Sequence, residues 1–158
     1  MALRKIRLDG DPILRKKSRE VAELDDRILQ LLDDMVETMR HENGIGLAAP
    51  QIGVLKRVIT IDIGEKPIIA INPVIEAQEG EVDGIEGCLS VPDLAGTVER
   101  PQTITISFMD ENGQKVEMKP SGYLARVFCH EIDHLEGVLY TDKAKEVHEN
   151  VAEDEELS

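Results

Sequence analysis

The sequence predicts an α+β domain: small antiparallel or mixed sheets around a central helix that carries a His-Glu-x-x-His run. A second helix is expected outside it near the N-terminus, and a tail or helix at the C-terminus. Three observations lead there. One long segment repeats its apolar residues at helical intervals, and several short β-branched runs lie between glycines and prolines. A later helical segment sets two histidines among residues suited to burial.

The first helix is expected over 25–41. Ile28, Leu32, Met35 and Met39 recur at three- and four-residue spacing, with Leu29 and Val36 beside them, so one face is apolar. Acids crowd its first turn, where the helix dipole favours them. Asn43-Gly44-Ile45-Gly46 then ends the helix and opens a loop. Strands are expected over 57–63 and 68–71, both β-branched and flanked by turn residues. Thr, Ile and Ser alternate over 102–109, and Lys115 to Met118 answers them across Asn112-Gly113, a strong signal for an antiparallel hairpin. Ser121 is placed to cap the second helix, and Gly137 to end it in the left-handed conformation. Leu124, Val127 and Leu135 would be its buried face.

Nothing in the chain marks a repeat, a low-complexity linker or a hinge, so residues 1–158 read as one catalytic domain with an acidic tail from about 144. At 158 residues and 41% hydrophobic content it can bury a real core. No apolar run is long enough to span a bilayer. The basic start, Met1-Ala2-Leu3-Arg4-Lys5, has no apolar segment behind it, so a secretory signal is not expected and the cytoplasm is. A net charge of −14 opposes nucleic-acid binding. The absence of Trp and an aromatic content of 3% leave no platform for stacking bases. No disulfide is expected between Cys88 and Cys129 in a reducing compartment.

The run His130-Glu131-Ile132-Asp133-His134 carries the chemistry. Imidazoles four positions apart on a helix lie about 40° from each other around the axis, so both can reach one ion. Glu131, rotated roughly 100° from His130, stays near the ion without binding it. It is placed to deprotonate a water that the ion activates. Two buried histidines without partners would be costly, and a metal ion satisfies them.

A third ligand is needed. A continuation to a histidine six positions after His134 fails, because Tyr140 stands there. A glutamate from a later helix, such as Glu153, is possible but poorly held. Cys88, within Gly84-Ile85-Glu86-Gly87-Cys88-Leu89-Ser90, is the favoured candidate, since one thiolate with two imidazoles is a familiar catalytic set. Cys129 points some 100° from His130 around the helix and reads as an ordinary packed thiol. His41 and His148 are given no role.

Three segments in order, Gly44-Ile45-Gly46-Leu47-Ala48-Ala49-Pro50-Gln51, Glu86-Gly87-Cys88-Leu89-Ser90 and His130-Glu131-Ile132-Asp133-His134, resemble the peptide deformylase family over about residues 4–143. The resemblance implies removal of the formyl group from N-formylmethionine at the start of newly made bacterial or organellar polypeptides. It implies Cys88, His130 and His134 as ligands of one divalent ion, generally ferrous iron, with zinc or nickel also possible. Glu131 would carry the proton from water to the leaving amine. Hydrolysis of a formamide passes through an oxyanion that needs donors facing it, and the Gln51 amide and the Leu89 backbone N–H match those roles. Ile45 and Gly46 would run beside the substrate backbone as an added strand, with a side chain at Gly46 blocking that approach. Gly87, beside the thiol, is counted with the substrate-binding residues. Tyr123 and Val127 would wall the methionine side chain, with the Arg126 stem near them and its charge reaching solvent. Either Glu86 or Asp133 could pair with Arg100 to fix the ligand loop, the alternative being a surface ion pair of little worth.

Two features depart from the family. Cys129 stands where Gln often precedes the first histidine, and the C-terminal extension is acidic where some relatives carry a basic helix linked to ribosome contact, so ribosome contact is not carried over. A monomer acting on N-formylmethionyl peptides is expected, without a nucleic-acid or membrane partner. From residues alone, a metallopeptidase cutting internal bonds and a non-catalytic metal-binding protein stay open.

Overall fold

The computed structural model describes residues 2–149. Helix α1, Asp26–His41, starts where the Asp25 carboxylate accepts the Ile28 N–H at 3.0 Å, the expected acidic N-terminal signal. It ends with Asn43 at φ 58° while the amides of Asn43 and Gly44 return to the carbonyls of Arg40 and Met39. Strands follow in order: β1 Gly46–Ala48, β2 Val58–Ile61, β3 Ile68–Glu79, β4 Val82–Cys88, β5 Val91–Arg100, β6 Thr103–Met109 and β7 Lys115–Met118. Helix α2, Tyr123–Leu135, and strand β8, Glu146–Glu149, complete the chain. Two antiparallel sheets result, one ordered β1-β2-β3-β6-β7 and the other β4-β5-β8.

The larger sheet lies between the two helices. Ile59 and Ile61 of β2 join Ala48, Ile104, Ile106 and the α2 residues Ala125, Phe128, Ile132 and Leu135 in one core cluster. Val58 and Leu47 join Ile28, Leu31, Leu32, Met35 and Met39 of α1 in another. Alternate side chains of β2 thus enter opposite cores, so all four of its residues are buried and the strand reads as a continuous apolar run. Burying a leucine- or isoleucine-sized side chain is worth about 1.5–3 kcal/mol, and both faces of β2 collect that gain. Burial of Leu135 and Val127, with Leu124 packed at the edge, matches the expected inner face of α2.

Several expectations need correction. The strand expected over 68–71 continues to Glu79: Asn72 takes φ 53°, and a register shift between Ile71 and Val74 absorbs Asn72-Pro73. A bulge is where a strand tolerates proline. Strands β4 and β5 were not anticipated, because their glycines and acids hide any alternation. Ser121 does not cap α2. Its hydroxyl lies 2.9 Å from Thr103 Oγ1, and Gly122 at φ 64° makes the turn into the helix. Gly137 does end α2, at φ 79°, with its N–H bonded to His134 and that of Val138 to Asp133. The acidic tail does not begin at 144: Glu146–Glu149 pairs with β5 as β8, since backbone pairing needs no apolar side chain. Residues 150–158, including Glu153, lie outside the described residues. Among those described, no helix is long and apolar enough to cross a membrane.

Candidate active site

Helix α2 sets His130, Glu131 and His134 at the seam between the two sheets, facing the bulged end of β4. The pairing shifts there between Glu86–Gly96 and Cys88–Val91. The shift turns Cys88 toward the helix. One ligand atom from each of Cys88, His130 and His134 lies within 4.8 Å of the other two. The Cys88 Sγ to His134 Nε2 separation is 3.4 Å. Two donors at tetrahedral zinc-like bond lengths stand roughly 3.5 Å apart, so the trio fits a single ion in size as well as in chemistry.

The partners of the two rings fit the same reading. His130 Nδ1 is 2.8 Å from Glu86 Oε1, which leaves Nε2 free to ligate. Burial holds His134 well below the usual histidine range, helped by the charges of His130 and Arg100, so its ring is neutral as a ligand must be. Burial also penalises a charged His130, but hydrogen bonding to Cys88 and Glu86 and the charge of Glu131 outweigh it and raise that ring. A cation bound there would take the place of that proton. Glu131 is buried, its Oε1 has no hydrogen-bond partner among the described residues, and burial pushes its carboxyl up to about 7. A buried, unpartnered carboxylate oxygen next to a ligand trio is costly unless a substrate or water uses it.

A cleft of about 420 Å³ opens onto this group. Ile45, Gly46, Gln51, Gly87, Cys88, Leu89, Tyr123, Val127, His130 and Glu131 all line it, while His134 sits behind at 1% exposure. Tyr123 is exposed at the mouth and Val127 is buried at the wall. Gln51 is buried. Its Oε1 accepts the Ala48 N–H at 2.9 Å, and its Nε2 donates to Ser90 Oγ at 3.1 Å and faces Cys88 Sγ at 3.6 Å. Gly46 is required for a reason beyond the one expected: a Cβ there would lie 2.6 Å from Glu131 Oε2. The glycine makes room for the carboxylate first. At Gly87 a Cβ would meet only the Leu94 carbonyl at an ordinary 3.7 Å. The Ile45 carbonyl accepts the Asp62 N–H at 2.8 Å. By strand alternation, the Gly46 N–H and C=O therefore face the free edge of β1.

Arg126 does not reach solvent. It is buried, with Nη1 donating to Glu86 Oε2 and the Val98 carbonyl and Nη2 to the Val82 carbonyl. Both expected partners hold Arg100: Glu86 through two bonds of 2.9 Å and Asp133 at 2.7 Å. The pair is interior, not superficial. Burial alone would raise Glu86, yet bonds from Arg100 and His130 hold its carboxyl far below the ordinary range. Cys129 is a packed core thiol, pushed up to about 11 by burial. Sequence reasoning missed Ile85, Val91 and Leu94 in the cleft. Their only signal was proximity to Cys88. Tyr140, the residue that excludes a downstream histidine ligand, stacks on His130 at 5.9 Å between ring centroids.

A buried glutamate beside a thiol and two imidazoles, at the cleft of an α+β fold, is an arrangement suited to a metal-dependent hydrolase that attacks an amide carbonyl. A family profile described as polypeptide deformylase matches residues 3–150. The peptide deformylase of Caldicellulosiruptor bescii is 57% identical over 143 residues, covering 90% of this chain and 86% of that one. Peptide deformylase 2 of Clostridium acetobutylicum is 51% identical, covering 92% and 98%. The crystal structure of peptide deformylase from Thermotoga maritima matches with a TM-score of 0.90 and 39% identity, covering 92% of this chain and all of that one. That of the Synechococcus elongatus enzyme in complex with actinonin matches at 0.87 with 40% identity, covering 92% and 85%. The chain belongs to the polypeptide deformylase family, metal-dependent hydrolases that remove the formyl group from newly made polypeptides.

Proposed function

We propose that Cys88, His130 and His134 hold one divalent ion, ferrous iron in the cell, and that Glu131 moves the proton during deformylation of N-formylmethionyl peptides. The convergence of the three ligand atoms within 4.8 Å beside the unpartnered Glu131 oxygen carries this reading. When bound, the ion supplies Lewis acidity that makes water a nucleophile near neutral pH. The Glu131 carboxylate takes the proton from the attacking water and hands it to the leaving amine. The Gln51 Nε2 and the Leu89 N–H donate to the oxyanion that develops on the formyl oxygen. Gly46 offers its free N–H and C=O to the substrate as an added strand, with Ile45 and Gly87 flanking it. Tyr123 and Val127 bound the methionine side chain. The donor set suits iron and zinc alike, and the choice of iron follows from the likeness to the family. A monomer working in a bacterial-type cytoplasm without nucleic-acid or membrane partners fits the charge of −14, and no ribosome contact is assigned.

The test is an anaerobic assay of ferrous-loaded protein on formyl-Met-Ala-Ser beside an internally quenched peptide. Formate release from the first alone is expected. Cleavage of only the second would overturn the reading. Activity lost in air and recovered with ferrous iron would support iron, and full activity of air-exposed zinc protein would count against it.

A further inference from the structure

Beyond ligands and proton carrier, we propose that Arg126 is a positioning residue, with Gly84 as its required companion. Together they hold the Cys88-bearing hairpin against the helix that carries the two imidazoles. This rests on the ligand reading given above.

The attachment of the hairpin to α2 includes a buried polar joint. The apolar cluster beneath the smaller sheet consists of Val91, Val98, Leu139 and Tyr140, and none of these comes from α2. Arg126, His130 and Asp133 of α2 each bond to the hairpin, and Arg126 supplies the widest span. Its guanidinium reaches the Val82 carbonyl of β4 at 2.8 Å, the Val98 carbonyl of β5 at 2.9 Å and Glu86 Oε2 at 2.7 Å. Glu86 is two residues before Cys88, and its other oxygen meets His130 Nδ1. Arg126 itself is one helical turn before His130, so a single rigid fork joins both strands, the carboxylate and the ligand helix. Only a planar, multi-donor cation can make that joint; an ammonium is a point charge.

Gly84 lies opposite Val98 in the β4–β5 ladder, directly against the fork. A Cβ at 84 would stand 2.7 Å from Arg126 Cζ and 2.8 Å from its Nε. A long side chain can ordinarily yield to such a contact, but this guanidinium is buried and tied to three acceptors, so yielding breaks those bonds. G84A is therefore a way to displace the fork while leaving the Arg126 side chain chemically intact.

The expected consequence falls on ion affinity. A slack hairpin lets Sγ drift from the two imidazoles, and loss of a supporting residue of this kind typically weakens metal binding by about 10–100-fold. The experiment titrates Co²⁺ alone into the metal-free full chain, following the thiolate-to-cobalt charge-transfer absorption, with thermal unfolding of the metal-free protein recorded beside it. R126M, R126K and G84A are each expected to bind Co²⁺ at least tenfold more weakly than wild type while still unfolding cooperatively. Lys at 126 keeps the charge and loses the fork, so it should not rescue. Co²⁺ affinity within twofold of wild type in folded R126M and R126K would overturn the proposal, even with a lowered melting temperature. If R126M does not fold, G84A decides: wild-type affinity there overturns it, and weakened affinity supports it. A wild-type chain with no thiolate band would overturn the ligand reading, and this proposal with it.

Discussion

Glu131 and Cys88 separate the two jobs of the site at the scale of single residues. On the proposed reading Glu131 is not a ligand, so Glu131→Gln should keep metal while turnover falls by about 10²–10⁴-fold or more. Elemental analysis beside the formate assay checks both halves; an active E131Q would remove the proton carrier. Cys88→Ala should instead lose metal under the same anaerobic purification, since it deletes the thiolate donor. Wild-type metal content in that variant would exclude Cys88 from the centre. Glu131 and its paired histidines were legible in the sequence because their spacing is local: four positions on a helix fix their angle whatever else the chain does. Arg126 was misread for the opposite reason. Its acceptors are two main-chain carbonyls, which have no sequence signature, so its burial became visible only when β4 and β5 came to lie over α2.

Among the elements, α2 is the one whose ends matter most to the site. Gly137 stops it at φ 79°, and a Cβ there would lie 2.5 Å from the Arg15 carbonyl oxygen. Gly137→Ala therefore combines a disfavoured backbone conformation with a collision against backbone that has no side chain to move. A loss of about 1–3 kcal/mol is expected, measured by urea unfolding of the metal-free protein; a shift below a few tenths would mean that the N-terminal segment yields freely. Helices and hairpins with periodic patterns were readable: α1 starts at its Asp25 signal, and β6–β7 turn across Asn112-Gly113. Strands β4, β5 and β8 were not, since they hold their places by pairing and by polar bonds more than by alternating apolar faces. Burial along β4 is almost wholly exposed or intermediate except for Glu86, a pattern that reads as loop.

Across the whole molecule, the N-terminal segment is fastened to α1 through Asp34. This buried carboxylate accepts the Ala2 N–H and Gln30 Nε2 at 2.8 Å and pairs with Arg4 at 2.7 Å. Burial opposes its ionisation, but the bonds from Gln30, Ala2 and Arg4 prevail and hold it below the ordinary 3.8. A depressed carboxylate gives stability that is present above its unfolded value and lost as pH falls through the folded one. Stability should thus drop below pH about 4 more steeply in wild type than in Asp34→Asn, which would be less stable at neutral pH. Parallel curves for the two in acid would exclude this clasp as a source of acid sensitivity. The chain alone pointed to the α+β class, the two helices, the β6–β7 hairpin and, through the likeness of three motifs, the family, because helical spacing and turn chemistry are local and the motifs are read directly in order. Tertiary structure alone decided how the hairpin is locked to α2, why a Cβ at Gly46 would meet Glu131, and that Glu146–Glu149 pair with β5 as a strand. Those depend on distances between segments far apart in sequence, which only the folded packing sets.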